Sequence, residues 1–204
     1  MWVRADSPYR NPRDLRGVKI GVSALGGAEQ SYARIIVAAH GMEKDVRFVG
    51  SGGIPQTLAG MRVGAIDVAV LSMGSAIRLK VDGIIREIAS SHDYLPKPWF
   101  DHVVFARKDF AQSKPEVVKK ALKATIQAAD FLRKNPGWAV SKIREFQGIP
   151  EEAAKVVYDN MQFTESGKLD RKAVENVRKV LIEYGILTEK TPPVDELFTN
   201  EYLS

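Results

Sequence analysis

The sequence predicts an α/β fold: a parallel-rich sheet covered by helices, followed by a long helical segment. Three observations predict it. Apolar runs at residues 18–22, 46–49 and 68–71 alternate with helical stretches over short links, the spacing that parallel crossovers require. Each of those runs ends in a turn of small residues. Beyond residue 109 the apolar spacing is helical and no further strand pattern follows.

The elements can be justified in order. Trp2, Val3 and Arg4 make a short extended piece. Asn11 and Pro12 predict a one-turn helix with Asn11 as cap, Pro12 in the first position and Leu15 packing inward; Gly17 ends it. The strand at 18–22 runs into Ser23, Gly26 and Gly27, and a helix from Glu29 toward His40 turns Ile35, Ile36 and Val37 inward, with Gly41 as its stop. The strand at 46–49 closes in Gly50, Ser51, Gly52 and Gly53, and a helix from Ile54 and Pro55 carries Leu58 and Met61 at i, i+3 spacing. The strand at 68–71 ends at Ser72, Met73 and Ser75. A helical stretch near 75–80 and a strand near 84–89 complete this part.

A further strand is expected at 102–107, resembling the opening Trp2-Val3-Arg4 and likewise followed by an Asp. Pro115 then opens a long helix that Asn135 and Pro136 stop. Shorter helices are expected near 138–146, 150–160 and 170–184, the last with Val174, Val177, Val180 and Leu181 on one face. These helices need an apolar surface that the sequence does not obviously supply, so association between copies through exposed helical faces is an expectation.

Composition narrows the function. With 204 residues and 45% hydrophobic content, the chain can bury a substantial core. A net charge of +5, with Arg4, Arg10, Arg13, Arg16 and Lys19 crowded at the start, favours anionic partners in general. It does not favour nucleic acid, because no recognition helix, zinc spacing or interleaved aromatic stripe accompanies it. The absence of cysteine excludes disulfides and thiol chemistry. The three histidines form no metal or triad pattern, so no cofactor, metal or catalytic residue is expected. No signal peptide opens the sequence, and no apolar run is long enough to cross a membrane.

The strings "DLRGVKIGVS", "GGIPQTLAGMRVGAIDVAVLS", "VVFARKDF" and "KPEVVKKALKATIQAADFLRKNP" together resemble bacterial periplasmic solute-binding proteins of ABC transporters. The branch resembled is the one that takes nitrate, sulfonate, taurine and thiamine precursors. The resemblance implies two α/β lobes that close on a solute and deliver it to a membrane permease, in the periplasm or at the cell surface if the chain is exported. It implies that residues 6–101 form a complete lobe and that 1–5 and 102–109 are hinge crossing strands. Residues 110–204 would then be the helical part of an incomplete first lobe, whose sheet would precede Trp2.

Site residues follow from both sources. Glycine-rich turns at strand ends leave backbone N–H groups open to a small polar or anionic ligand. Ser23, Gly26, Gly27 and Ala28 match the ligand-facing turn of the family, Gly52 and Gly53 form the second turn, and Ser72 and Met73 match a third contact position. Turn geometry alone, core filling by Met73 and capping by Ser75 are the bland alternatives. Asp67 is expected to bond backbone near the helix-to-strand turn. Two rival functions are weaker: an enzyme, for which no base or nucleophile is positioned, and a dinucleotide-binding domain, for which the GxGxxG spacing is missing.

Overall fold

The computed structural model describes residues 1–203. They divide into two compact units, the first made of residues 1–95 with 183–186, the second of the remainder.

The first unit is built on a five-stranded sheet in the order β3-β2-β4-β1-β5. Its strands are β1 (Trp2–Arg4), β2 (Lys19–Val22), β3 (Arg47–Gly50), β4 (Val68–Ala69) and β5 (Ile85–Glu87). β2 pairs in parallel with β3, from Lys19 opposite Arg47 to Val22 opposite Gly50, and in parallel with β4. β1 runs antiparallel to both β4 and β5. The sheet is therefore mixed rather than parallel throughout, and the opening segment is a full member of it.

Three helices complete the unit: α1 (Ala28–Ala38), α2 (Ile54–Arg62) and α3 (Met73–Val81). Strand alternation sorts the core into two layers. Val3, Ile20, Val22 and Val68 pack with Ala33, Ile36 and Val37 of α1. Trp2, Ala69 and Ile85 pack with Met61 of α2 and Ala76 of α3. Helices thus cover both faces, as the alternating pattern requires.

Local chemistry fixes the connections. Asn11 caps the one-turn helix Pro12–Asp14 by accepting from the Arg13 amide at 2.9 Å. Asp14 returns the bond to the Asn11 amide at 3.0 Å and also accepts from Arg10, which holds its carboxyl below the usual range. Leu15 is fully buried. Asp67 accepts from the Lys19 amide at 2.8 Å, the backbone-fixing role expected of it. Gly21 and Gly60 make room for one side chain: a Cβ on either would stand 2.8 Å from Cδ1 of the buried Ile66.

The second unit is helical: α4 (Lys108–Ser113), α5 (Pro115–Lys134), α6 (Pro136–Gln147), α7 (Glu151–Asp159), α8 (Arg171–Glu183) and α9 (Val194–Leu197). Pro115 and Pro136 open their helices, and Gly148, left-handed at φ 61°, closes α6. Phe131 and Trp138 meet edge to face at 5.1 Å, and the Tyr158 hydroxyl donates to the Leu132 carbonyl at 3.1 Å.

One expected element is corrected. Residues 102–107 form no strand, and the chain enters α4 at Lys108 instead of continuing as a crossing strand to 109. A strand needs a neighbour to take its backbone groups, and among the described residues the second unit contains no strand. Val104 and Phe105 are exposed accordingly. α4 and the short α9 were not expected from the sequence.

Candidate functional site: a three-turn rim

Because β3, β2 and β4 lie side by side and parallel, their carboxyl ends share one edge of the sheet. The turns that follow them, at Ser23–Ala28, Ser51–Gly53 and Leu71–Met73, therefore form one rim. β2 is followed by a crossover toward β3, and β4 by one toward β5 on the other side. The gap between β2 and β4 is thus the point where the winding reverses, the usual place for a ligand in an open α/β sheet. All eight expected site residues sit on this rim or in the first turn of its helices.

Their individual roles differ. In the first turn, Gly26 takes a left-handed φ of 81° and Gly27 caps α1. The Ser23 hydroxyl, expected to face a ligand, is engaged: it donates to Glu29 Oε1 at 3.0 Å, and the Ser23 amide donates to Glu29 Oε2 at 2.5 Å. The Gly26 amide donates to Gln30 Oε1 at 2.6 Å.

In the second turn, Gly52 and Gly53 have φ of 86° and 155°, conformations open to glycine. The Ser51 hydroxyl donates to the Val22 carbonyl at 3.0 Å and lies 2.6 Å from Thr57 Oγ1. This ties the second turn to the end of β2. Gly53 offers α2 no side-chain cap, and the first-turn amides of Ile54 and Gln56 have no acceptor within the helix.

In the third turn, Ser72 rather than Ser75 is the cap of α3, accepting from the Ser75 amide at 3.3 Å. Met73 packs its side chain against the second core layer, so core filling accounts for it, while its backbone remains at the rim.

Sequence reasoning missed Glu29 and Gln30. A signal was present: acidic and amide side chains at the second and third positions of a helix, after a Ser and a glycine pair, are a helix-start pattern. The glycines drew attention to the backbone, while the side chains that occupy its donors lie downstream.

His40 Nε2 lies 3.0 Å from the Tyr94 hydroxyl, remote in sequence from the rim turns. Among the described residues no three His, Cys, Asp or Glu side chains are grouped to hold a metal ion. A concavity of about 380 Å³ in the first unit is lined by Arg13, Arg16, Ala39, His40 and Met42, away from the rim.

Residues 1–139 match the family model described as NMT1/THI5 like. The chain belongs to the NMT1/THI5-like family. A putative binding protein of Brucella abortus is 26% identical to this NMT1/THI5-like chain over 147 residues, covering 71% of the chain and 45% of the relative. The chain thus spans about half the length of the curated relatives it matches. Solved structures share its fold. The alkanesulfonate-binding protein SsuA from Xanthomonas axonopodis pv. citri, bound to MOPS, matches 95% of this chain and 65% of its own at a TM-score of 0.73 and 14% identity. A Candida albicans protein described as exhibiting the generic periplasmic binding protein structural fold matches at 0.75 and 16% identity, over 96% of this chain and 66% of its own. The desulfurization enzyme DSZB matches at 0.58 and 18% identity, over 99% of this chain and 73% of its own. The NMT1/THI5-like chain therefore has the α/β architecture of the periplasmic-binding-protein fold and spans part of it.

Proposed function

We propose that this chain supplies one wall of a solute-binding protein that holds a small polar or anionic molecule and passes it to an ABC-type permease in the periplasm. One observation carries the reading: three parallel strand ends bring Ser23–Ala28, Gly52, Gly53, Ser72 and Met73 to one edge at the reversal point of the sheet. Open first-turn amides at that edge are donors for an oxygen-rich guest, and converging helix starts favour negative charge by about 0.3–1 kcal/mol each. One wall alone encloses only part of such a guest, and a second wall completes the site. In this reading residues 6–101 are the first wall, 1–5 and 102–109 lead to and from the hinge, and the helices of 110–204 belong to the opposing lobe.

The relatives support it. The Brucella protein is named a putative binding protein and the Xanthomonas protein an alkanesulfonate-binding protein. Likeness to a desulfurization enzyme favours a second reading, a small-molecule enzyme on the same scaffold, but the rim offers donors without a nucleophile–base pair.

Thermal-shift screening against sulfonates, nitrate, carboxylates and pyrimidines tests the proposal, using this chain and a form that carries a second lobe. Weak stabilisation of the former and strong stabilisation of the latter is expected. Turnover of any of these compounds by the short chain would overturn it.

A further inference from the structure

The basic crowding at the start of the chain has no part in the rim. Of those residues, Arg4 pairs with Asp6, Arg16 with Asp45, and Lys19 donates to the Gly64 carbonyl. Arg13 makes no ion pair among the described residues. Asp14, the carboxylate beside it, accepts instead from the amides of Arg10 and Asn11. Arg13 and Arg16 line the concavity of about 380 Å³ together with Ala39, His40 and Met42. One wall is the one-turn helix Pro12–Asp14 with the link into β2, and the other is the end of α1 with the link toward β3. The concavity therefore lies at the amino ends of β2 and β3, the edge of the sheet opposite the rim.

Its walls are fixed in place. Leu15 and Met42, one on each, are both buried in the same core layer. The Gly17 amide donates to the Asp45 carbonyl at 2.7 Å, and Arg16 Nη1 donates to Asp45 Oδ2 at 3.0 Å, which ties one wall to the other. The His40 ring stands edge to face against Tyr94, and the Tyr94 hydroxyl engages Nε2, so Nδ1 is the ring nitrogen left for a ligand. Side chains alone supply the donors, because the amides of Ala39, His40 and Met42 are spent on the Ile35 and Val37 carbonyls. The carboxyl end of α1 opposes an anion with about half an elementary charge. Two guanidinium charges less the Asp45 carboxylate still exceed it. The Arg16–Asp45 pair is exposed and hence weak, so a dianion can share Arg16 with Asp45. Guanidinium forks match phosphate oxygens in pairs. The volume exceeds a bare phosphate and falls within the range of small-ligand sites, which leaves room beside Ala39 and Met42 for a carbon stem.

We propose that Arg13, Arg16 and His40 form a phosphate-ester site at the amino edge of the sheet, separate from the rim and independent of what the rim holds. The ligand chemistry is a phosphate on a short carbon stem, presented by a small soluble ester or by a phospholipid headgroup. Arg13 is the main contact because its guanidinium has no carboxylate to leave, and Arg16 and His40 Nδ1 complete the set.

Glycerol phosphate titrated into the ¹⁵N-labelled 204-residue chain and followed by NMR tests this, with acetate at equal ionic strength as the control. Saturable shifts in the millimolar range are expected at the amides of Arg13, Arg16 and His40, with Gly26 and Gly52 of the rim unmoved and acetate far weaker. Arg13→Gln, at an exposed position, should weaken the ester about tenfold, the loss of one charge-assisted pair. Arg10→Gln, in the same basic stretch but outside the concavity, should leave the affinity unchanged. Phosphatidylglycerol vesicles distinguish the two sources. Sedimentation of the chain with them, lost in Arg13→Gln and reversed by glycerol phosphate, identifies a headgroup, whereas ester binding without sedimentation identifies a soluble ligand. Acetate acting as strongly as the ester, Arg10→Gln weakening it as much as Arg13→Gln, or no shift at the three amides would overturn the site and leave the reading of the rim untouched.

Discussion

The two units of this chain solve the problem of burial differently. In the first, large side chains fill both faces of the sheet: Trp2, Leu15, Ile20, Ile36 and Met42 are all essentially inaccessible. In the second, the fully covered side chains are mostly small, such as Ala111, Ala139, Ala153 and Ala154, with a few valines and Ile149. The twenty residues of α5 include none that is buried, although the helix is strongly amphipathic. Phe105 and Phe146 are about nine-tenths exposed. Burial of apolar area is the main favourable term in folding, so the first unit holds most of the stability and the second is a set of helices displaying apolar faces.

The sharpest way to break this contrast is to truncate a large side chain in each unit. Trp2→Ala should cost the first unit about 3–5 kcal/mol, since the ring is enclosed and its Nε1 donates to the Leu71 carbonyl at 3.0 Å. Urea denaturation followed by near-ultraviolet dichroism reads that loss. A loss under about 1 kcal/mol would mean the layers are looser than they look.

Next in size is a dependence on pH, read on the 204-residue polypeptide prepared with Met1 as its free amino terminus. The Met1 ammonium donates to the Ala89 carbonyl at 2.6 Å, and burial, partly opposed by Glu87, pulls its pKa down from 8.0 to about 6. The unfolded chain takes up this proton at higher pH than the folded one. Stability is therefore full above pH 8, falls as pH drops toward 6, and stays low below that. The change is about 2–3 kcal/mol. Denaturation midpoints at pH 5.5 and 8.5 should differ in that direction, and acetylating the terminus should flatten the slope.

Gly21→Ala follows, at about 1–3 kcal/mol, because the new methyl meets both Cδ1 and Cγ2 of Ile66. Ser72→Ala, which removes the cap of α3, should cost about 1 kcal/mol. The smallest effect belongs to the second unit: Phe146→Ser, at an almost fully exposed position of α6, should cost about 0.5 kcal/mol or under. A large loss there would show that the exposed faces are covered in solution, which light scattering would reveal as association.

The first unit was legible because its strands are short apolar runs and its turns need glycine. Gly26, Gly52 and Gly53 sit at positive φ, where other residues are strained, so composition alone marked the rim. Asn11, Pro12 and Leu15 fell where capping rules put them. Two things were not legible. The run at 103–106 has strand-like residues, yet pairing depends on a neighbour that periodicity cannot see. The bond from Ser23 to Glu29 spans six residues, and only the folded turn shows which of several polar side chains reaches back.

Ile66 has one more effect. Its side chain stands in the space vacated by Gly21 on β2 and by Gly60 on α2, and so keys a helix to the strand beside it. Sliding that helix along the sheet would drive a methyl into backbone. Hard contact thereby holds α2 in one position against β2, and repacking there has little free volume to use.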